Sequence, residues 1–389
     1  MDDIFFWCLA LACAKCGVTL HHAVRVGSHY HLTVTLLEER LGDFLYRLNH
    51  SMSCALNVLL VKERYDAPGQ LFDGRQTHVM RLLDAEAQMA SVLYERCNPP
   101  TAGLSETCDG IPGQTLPPAL WKSGAGIEFE MPKVYFASGP KRRRLRTEPP
   151  PLLFLAFGGD VDALVHHLTK LEREAERKIR DARRGRPVRT PDEVRAIHPY
   201  DEPKTLREAG GQTVPCFRVG GGPLARMKGA VEVTAWRKQY REARKRWEAG
   251  DRDAVFPHGT YQMRRRYDAK VADPDPEAWV SAPGITMEEA KALVAAGEAE
   301  RDKDLVNRVR AAVMDGLDEL LRDEPEDKPD PDEPASAEST NRPRPSAVTL
   351  HRFDNYRPRD GQEHPSRLIR LRDHWRRRKG RRGQPPPQH

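Results

Sequence analysis

Two β-forming runs stand almost end to end near the start of the chain. Residues 18–26 form the first, and His29-Tyr30-His31-Leu32-Thr33-Val34-Thr35-Leu36 forms the second, with only Gly27-Ser28 between them. A two-residue link containing glycine folds such runs into an antiparallel hairpin. Side chains alternate across a strand, so His29 and His31 share one face and Tyr30 takes the other. Two imidazoles about 7 Å apart on a rigid strand can share one divalent metal. Histidine pairs on strands more often serve structure or surface, so this one needs a partner elsewhere in the chain.

The segments around the hairpin read as helices. Asp2-Asp3 opens a helix running to about Lys15, with Gly17 as its stop. From about 37 to 62, Leu41, Phe44, Leu45, Leu48, Met52, Leu56 and Leu59 recur at three or four, the mark of an amphipathic helix. Gly69 and Gly74 indicate a loop. Asp84 N-caps a last helix with Met89, Val92 and Leu93 on its apolar side, and Asn98-Pro99-Pro100 should stop it. The fold class expected for residues 1–105 is α+β, a small antiparallel sheet backed by helices.

The rest is more polar. Residues 106–158 are rich in Gly, Pro and Ser, with weak strands near 127–130 and 134–137, and read as a linker. It carries a basic patch of Lys141, Arg142, Arg143, Arg144 and Arg146 that could hold phosphates or simply be solvated. Residues 159–321 form a helical extension with charged helices at 159–184 and 223–250 and one or two more at 287–321. From 322 to 389, Pro, Asp, Glu and then Arg dominate, the composition of a disordered charged tail.

The 389 residues are 31% charged with a mean hydropathy of −0.69, so a single compact core is not expected. The net charge of +6 fits a polyanionic partner, or a tail that only solubilises. Seven irregularly spaced cysteines do not make a disulfide framework. Cys13 and Cys16 form a lone C-x-x-C in an apolar stretch and read as buried thiols. Residues 4–13 mimic a signal sequence, but Asp2 and Asp3 occupy its basic region and the stretch is too short to span a bilayer. The expectation is a cytoplasmic protein with no membrane span.

The histidine pair finds its partner about sixty residues on, in Tyr94-Glu95-Arg96-Cys97-Asn98-Pro99. Tyr94 and Asn98 are four apart and stack on one helix face. Asn98 can offer a carbonyl oxygen to a metal held by His29 and His31, which leaves positions open for a substrate. Mg²⁺ or Mn²⁺ there would polarise a phosphate, and Tyr94 one turn away could attack it. The bland readings are a core tyrosine and an ordinary Asn-Pro helix end. His21 and His22 on the neighbouring strand read better as core or solvated histidines than as ligands.

Gly17-Val18, Ser28-His29-Tyr30-His31-Leu32, Ala55-Leu56-Asn57, Tyr94, Asn98-Pro99 and Ala102-Gly103-Leu104 together resemble the single-tyrosine HUH transposases. More narrowly they resemble the tyrosine transposases associated with repetitive extragenic palindromes, of the insertion-sequence-200-like group. The likeness covers about the first 105 residues. A weaker one continues through Gly185-Arg186-Pro187, 236–247 and Gly250-Asp251-Arg252. It implies a ferredoxin-like sheet, a metal on His29, His31 and Asn98, and attack by Tyr94 on single-stranded DNA folded into hairpins. That attack would leave a 5′-phosphotyrosine and a 3′-OH. Such a protein is a DNA strand transferase in transposition, and the reading admits a homodimer. Members usually begin with a further strand in the centre of the sheet before the first helix, where this sequence begins at about that helix, so an exposed sheet edge or a lost sheet centre is expected. Two other readings stay open: a non-catalytic DNA-binding protein derived from such a transposase, and a decayed, truncated copy.

Overall fold

The computed structural model describes residues 2–322, apart from 27–28, 37, 68, 70, 73–76, 110–114, 199–214 and 276. The charged tail from 323 onward, the Gly27-Ser28 turn and Gly74 therefore lie outside the described residues.

Helix α1 (Asp2–Cys16) is apolar on every side. A helix of that kind must be covered on every side. Gly17, at φ 66°, ends it, and the Val18 amide returns to the Cys13 carbonyl at 3.0 Å. Helix α2 (Leu41–Lys62) and one face of the hairpin cover α1 from one direction, with Phe5 against Tyr30 and with Phe44, Leu48 and Met52 buried. A second hairpin, β4 (Ile127–Glu130) and β5 (Arg142–Leu145), covers it from another, with Phe6 stacked on Phe129 at 5.2 Å.

Strands β1 (Thr19–Val26) and β2 (His29–Thr35) pair antiparallel, with Val26 opposite His29, Val24 opposite His31 and His22 opposite Thr33. The register shifts between Leu20 and His22, which makes His21 the extra residue of a bulge and lets two consecutive histidines both be buried. Tyr30, Leu32 and Val34 face the α1–α2 core. His29, His31 and Thr33 share the opposite face, and α3 (Ala85–Thr101) lies there.

The outer edge of β1 was expected to be exposed, but later residues occupy it. The Leu116 amide donates to the Ala23 carbonyl at 3.0 Å and the Glu148 amide to that of Leu20 at 3.1 Å. Thr115 and Thr147 bridge to Val24 and Leu20, and the Trp121 indole donates to the His21 carbonyl. Backbone groups left bare on such an edge invite wrong pairing, and here they are spent inside the chain. Residues 106–158, read as a linker, are thus built into the fold, together with α4 (Leu120–Ser123) and α5 (Pro151–Ala156).

A second correction concerns α3. It does not stop at Asn98 but continues through Pro99 and Pro100 to Thr101. Proline lacks an amide and crowds the carbonyl four residues back, but in a last turn the unmet carbonyls are what must be closed. Here Leu104 N donates to Pro99 O, Gly103 N to Pro100 O and Ala102 N to Asn98 O, with Gly103 at φ 64°. This is a Schellman closure, and it keeps Asn98 inside regular helix.

Behind α3, Met89, Val92 and Leu93 meet α6 (Val161–Ala182) and α11 (Leu305–Arg322) in a second core containing Leu164, Leu168, Leu171 and Val309. At the other end of α3, β3 (Arg81–Leu82) pairs parallel with β6 (Phe217–Arg218), just before the 27-residue helix α8 (Gly222–Glu248). The remaining elements are α7 (Pro191–Ala196), the parallel pair β7 (Val255–Phe256) and β8 (Lys270–Val271), α9 (Tyr261–Tyr267) and α10 (Met287–Ala295). The chain is α+β, with small two-stranded ladders embedded among helices. No described helix is long and apolar enough to cross a membrane.

Candidate functional site

Helix α3 is buried almost all round from Ala87 to Pro100. Two positions break that cover, Tyr94, whose exposure is 49%, and half-buried Asn98. They are four apart, so they open one window on one face. The side chain that stands in this window comes from β2. The His31 ring meets the Tyr94 ring edge-on at 5.7 Å, and the Asn98 amide lies 3.1 Å from His31 Nε2. His29, two residues before it on the same face, sets its ring edge-to-face with His31 at 4.9 Å. The four residues singled out in the sequence are therefore brought together, and the strand and helix periods bring them there.

The chemistry of these donors fits a divalent metal. His31 Nε2 faces the Asn98 amide, and in the tautomer that leaves Nε2 unprotonated it accepts from the amide nitrogen and carries the lone pair a metal ligand uses. Burial pushes the pKa of His29 below the ordinary imidazole value. Burial does the same to His31, helped by His29 and His22 and opposed by Glu95. Both shifts favour the neutral form, which is the ligating one. A half-turn of the Asn98 amide would present its oxygen where the nitrogen now lies. Among the described residues no three His, Cys, Asp or Glu side chains gather to hold a metal. A site here would consist of two imidazoles and one amide oxygen.

Beneath the window runs a buried polar chain that sequence spacing did not reveal. Glu95 accepts from His22 Nδ1 and from the Thr33 hydroxyl, each at 2.7 Å. His22 Nε2 lies 3.3 Å from the Thr115 hydroxyl, which accepts from Arg96 Nη1 at 3.3 Å. Arg96 continues to Glu172 Oε1 at 2.7 Å and to Asp109. His21 is likewise a core histidine, between the Glu148 carbonyl and the Thr35 hydroxyl. Charged residues inside an otherwise apolar helix, such as Glu95 and Arg96, were the available sign of this network.

The basic patch is arranged otherwise than a bare phosphate cradle. Arg142 pairs with Glu128 and Glu130 and Arg144 with Glu128 across the β4–β5 ladder, and Arg143 sits over the Trp7 ring at 5.1 Å. Lys141 and Arg146 are exposed. The alternation of Ile127-Glu128-Phe129-Glu130 opposite these arginines was the signal for a paired hairpin.

Searches of protein-family models, of curated proteins and of solved structures found no match to this chain.

Proposed function

We propose that the chain is a single-tyrosine DNA strand transferase of the HUH transposase type, with Tyr94 as nucleophile and a ferredoxin-like ancestry for its hairpin and flanking helices. One observation supports it above the others: between Ala87 and Pro100 helix α3 opens only at Tyr94 and Asn98, and His31, with His29 beside it, stands in that opening. His29, His31 and Asn98 would hold Mg²⁺ or Mn²⁺, which when bound supplies Lewis-acid polarisation of a phosphate. The Tyr94 oxygen attacks phosphorus as the bond to the 3′-oxygen breaks. The phenol proton is lost to solvent, the 3′-oxygen leaves as a hydroxyl, and the strand stays linked through a 5′-phosphotyrosine. That linkage conserves the energy of the cut bond for rejoining. Single-stranded DNA with a hairpin is the substrate this reading calls for.

Trapping tests it. Purified chain, labelled hairpin oligonucleotides and Mn²⁺ should give a denaturation-resistant protein–DNA adduct, absent from Tyr94→Phe and from His29→Ala/His31→Ala. Folded protein that binds the element's own hairpin without forming an adduct, and binds equally as Tyr94→Phe, would instead identify a non-catalytic DNA-binding protein.

A further inference from the structure

We propose that Arg218, supplied by the segment that leads into α8, is the anion-binding group that receives the phosphate facing Tyr94. This rests on the strand-transfer reading of the Tyr94 site.

Arg218 lies in β6, which pairs with Arg81 and Leu82 immediately before the N-cap of α3. The backbone locks the two together. Leu83 N donates to Arg218 O at 3.0 Å, and Gly220 N donates to Asp84 Oδ2 at 2.9 Å. Gly220 is buried, and a Cβ there would run into the Glu86 side chain. The β6 turn is therefore seated on the first turn of the helix that carries Tyr94. A tyrosine on a helix leans toward the N-terminus, which is the end where Arg218 is anchored.

The acids nearest this anchor are already used. Asp84 accepts from the Ala87 and Gly220 amides, and Glu86 pairs with Arg308 at 3.1 Å. Among the described residues the Arg218 guanidinium has no hydrogen-bond or ion-pair partner. Burial disfavours its charge, and the neighbouring group that offsets this is Tyr94. A partly desolvated guanidinium without a counter-ion is costly to keep. Its planar fork matches two non-bridging phosphate oxygens, and a group that arrives with the substrate supplies the missing charge. As the Tyr94–phosphorus bond forms and the 3′-oxygen leaves, charge grows on those same oxygens, where a fixed arginine is most effective.

The test compares the wild-type chain with Arg218→Gln and Arg218→Lys. The readouts are thermal unfolding, anisotropy of a fluorescein-labelled single-stranded hairpin oligonucleotide, and adduct formation with Mn²⁺. A substrate-facing role predicts affinity lower by about tenfold and adduct formation slower by about a hundredfold in Arg218→Gln. It also predicts an unfolding temperature equal to or above wild type, because a half-buried, uncompensated charge is gone. Arg218→Lys should recover part of the affinity. Unchanged affinity and rate overturn the proposal. So does a lowered unfolding temperature that accompanies the losses, since that marks a structural arginine, and so does absence of DNA binding by the wild type. If the wild type binds DNA without an adduct while Arg218→Gln binds tenfold more weakly at full stability, the anion site stands and the strand-transfer reading fails.

Discussion

Glu95 is the residue on which the site and the core meet. Its two oxygens are taken by His22 and Thr33, one from each strand of the hairpin, while its neighbour Tyr94 faces outward. The carboxylate therefore ties α3 to both strands. Glu95→Gln keeps the shape but sets an NH2 against a donor, which should cost about 2 kcal/mol in chemical denaturation. Glu95→Ala should cost about 3–5 kcal/mol, because the partners are left buried and unmet. A loss under 0.5 kcal/mol, within the usual range for surface changes, would show that the tie is slack. His21 gives a pH dependence of definite sign. Burial pulls its pKa down to about 4 against an ordinary 6.5, so the folded chain keeps it neutral. Between those values the unfolded chain binds a proton that the folded chain refuses. Stability is thus whole above about pH 6.5 and falls by up to about 3 kcal/mol as the pH drops to about 4. Urea unfolding near pH 7 and near pH 5 should show about 2 kcal/mol more acid loss in the wild type than in His21→Gln, which cannot titrate. Equal losses would mean that His21 is protonated in the fold.

Helix α3 shows how an element turns sequence rules into a site, and where those rules fall short. The Schellman closure depends on Gly103 at φ 64°, in the αL region that Cβ-bearing residues resist. Gly103→Ala should therefore cost about 1 kcal/mol and loosen the last turn, which holds Asn98. Hydrogen exchange at Ala102 and Leu104 would report it as faster opening, and unchanged protection would rule out the closure as the anchor. What could be read in the sequence was whatever depends on periods. The strand alternation placed His29 with His31, the helical spacing placed Tyr94 with Asn98, and Asp84 caps Ala87 N as its type suggested. The long helices at 161–182 and 222–248 followed from charge and glycine punctuation. The helix end was misplaced because a proline pair was read as a stop, whereas here both prolines fall in the last turn, where the Schellman bonds close the helix after them. The β1 edge was missed because its partners, Thr115, Leu116, Thr147 and Glu148, lie about a hundred residues away in a stretch whose Gly and Pro content resembles a linker. Pairing over such distances leaves little local trace. The stretch 250–252 makes local contacts at the end of α8. Gly250 takes φ 99°, Asp251 pairs with Arg246, and Arg252 lies 4.4 Å over the Trp247 ring.

At the scale of the whole chain, the first 105 residues share their cores with later elements. The apolar helix α1 loses its cover if residues 127–145 are removed, since Phe6 and Trp7 pack on Phe129, Phe136 and Arg143. The outer edge of β1 loses the amides of Leu116 and Glu148. Met89, Val92 and Leu93 of α3 lose Leu164, Leu168, Leu171, Leu305 and Val309 from α6 and α11. Arg96 is left inside the helix bundle without Glu172, its buried counter-ion. Each loss acts through a named mechanism: large apolar side chains returned to water at about 1.5–3 kcal/mol apiece, and a charge stripped of its partner at about 3–5 kcal/mol. Their total exceeds the roughly 5–15 kcal/mol that holds a typical domain together. A truncated chain of residues 1–105 should therefore melt without a cooperative transition, bind a hydrophobic dye and form no adduct with hairpin DNA. A chain of residues 1–322 should melt as a single cooperative unit. Circular dichroism melts with dye fluorescence on the two lengths decide it. A cooperative melt of 1–105 would mean that the hairpin, α1, α2 and α3 carry enough core alone. In that case the later elements serve the substrate rather than the fold, and the β6 turn that carries Arg218 would be the first place to look for that service.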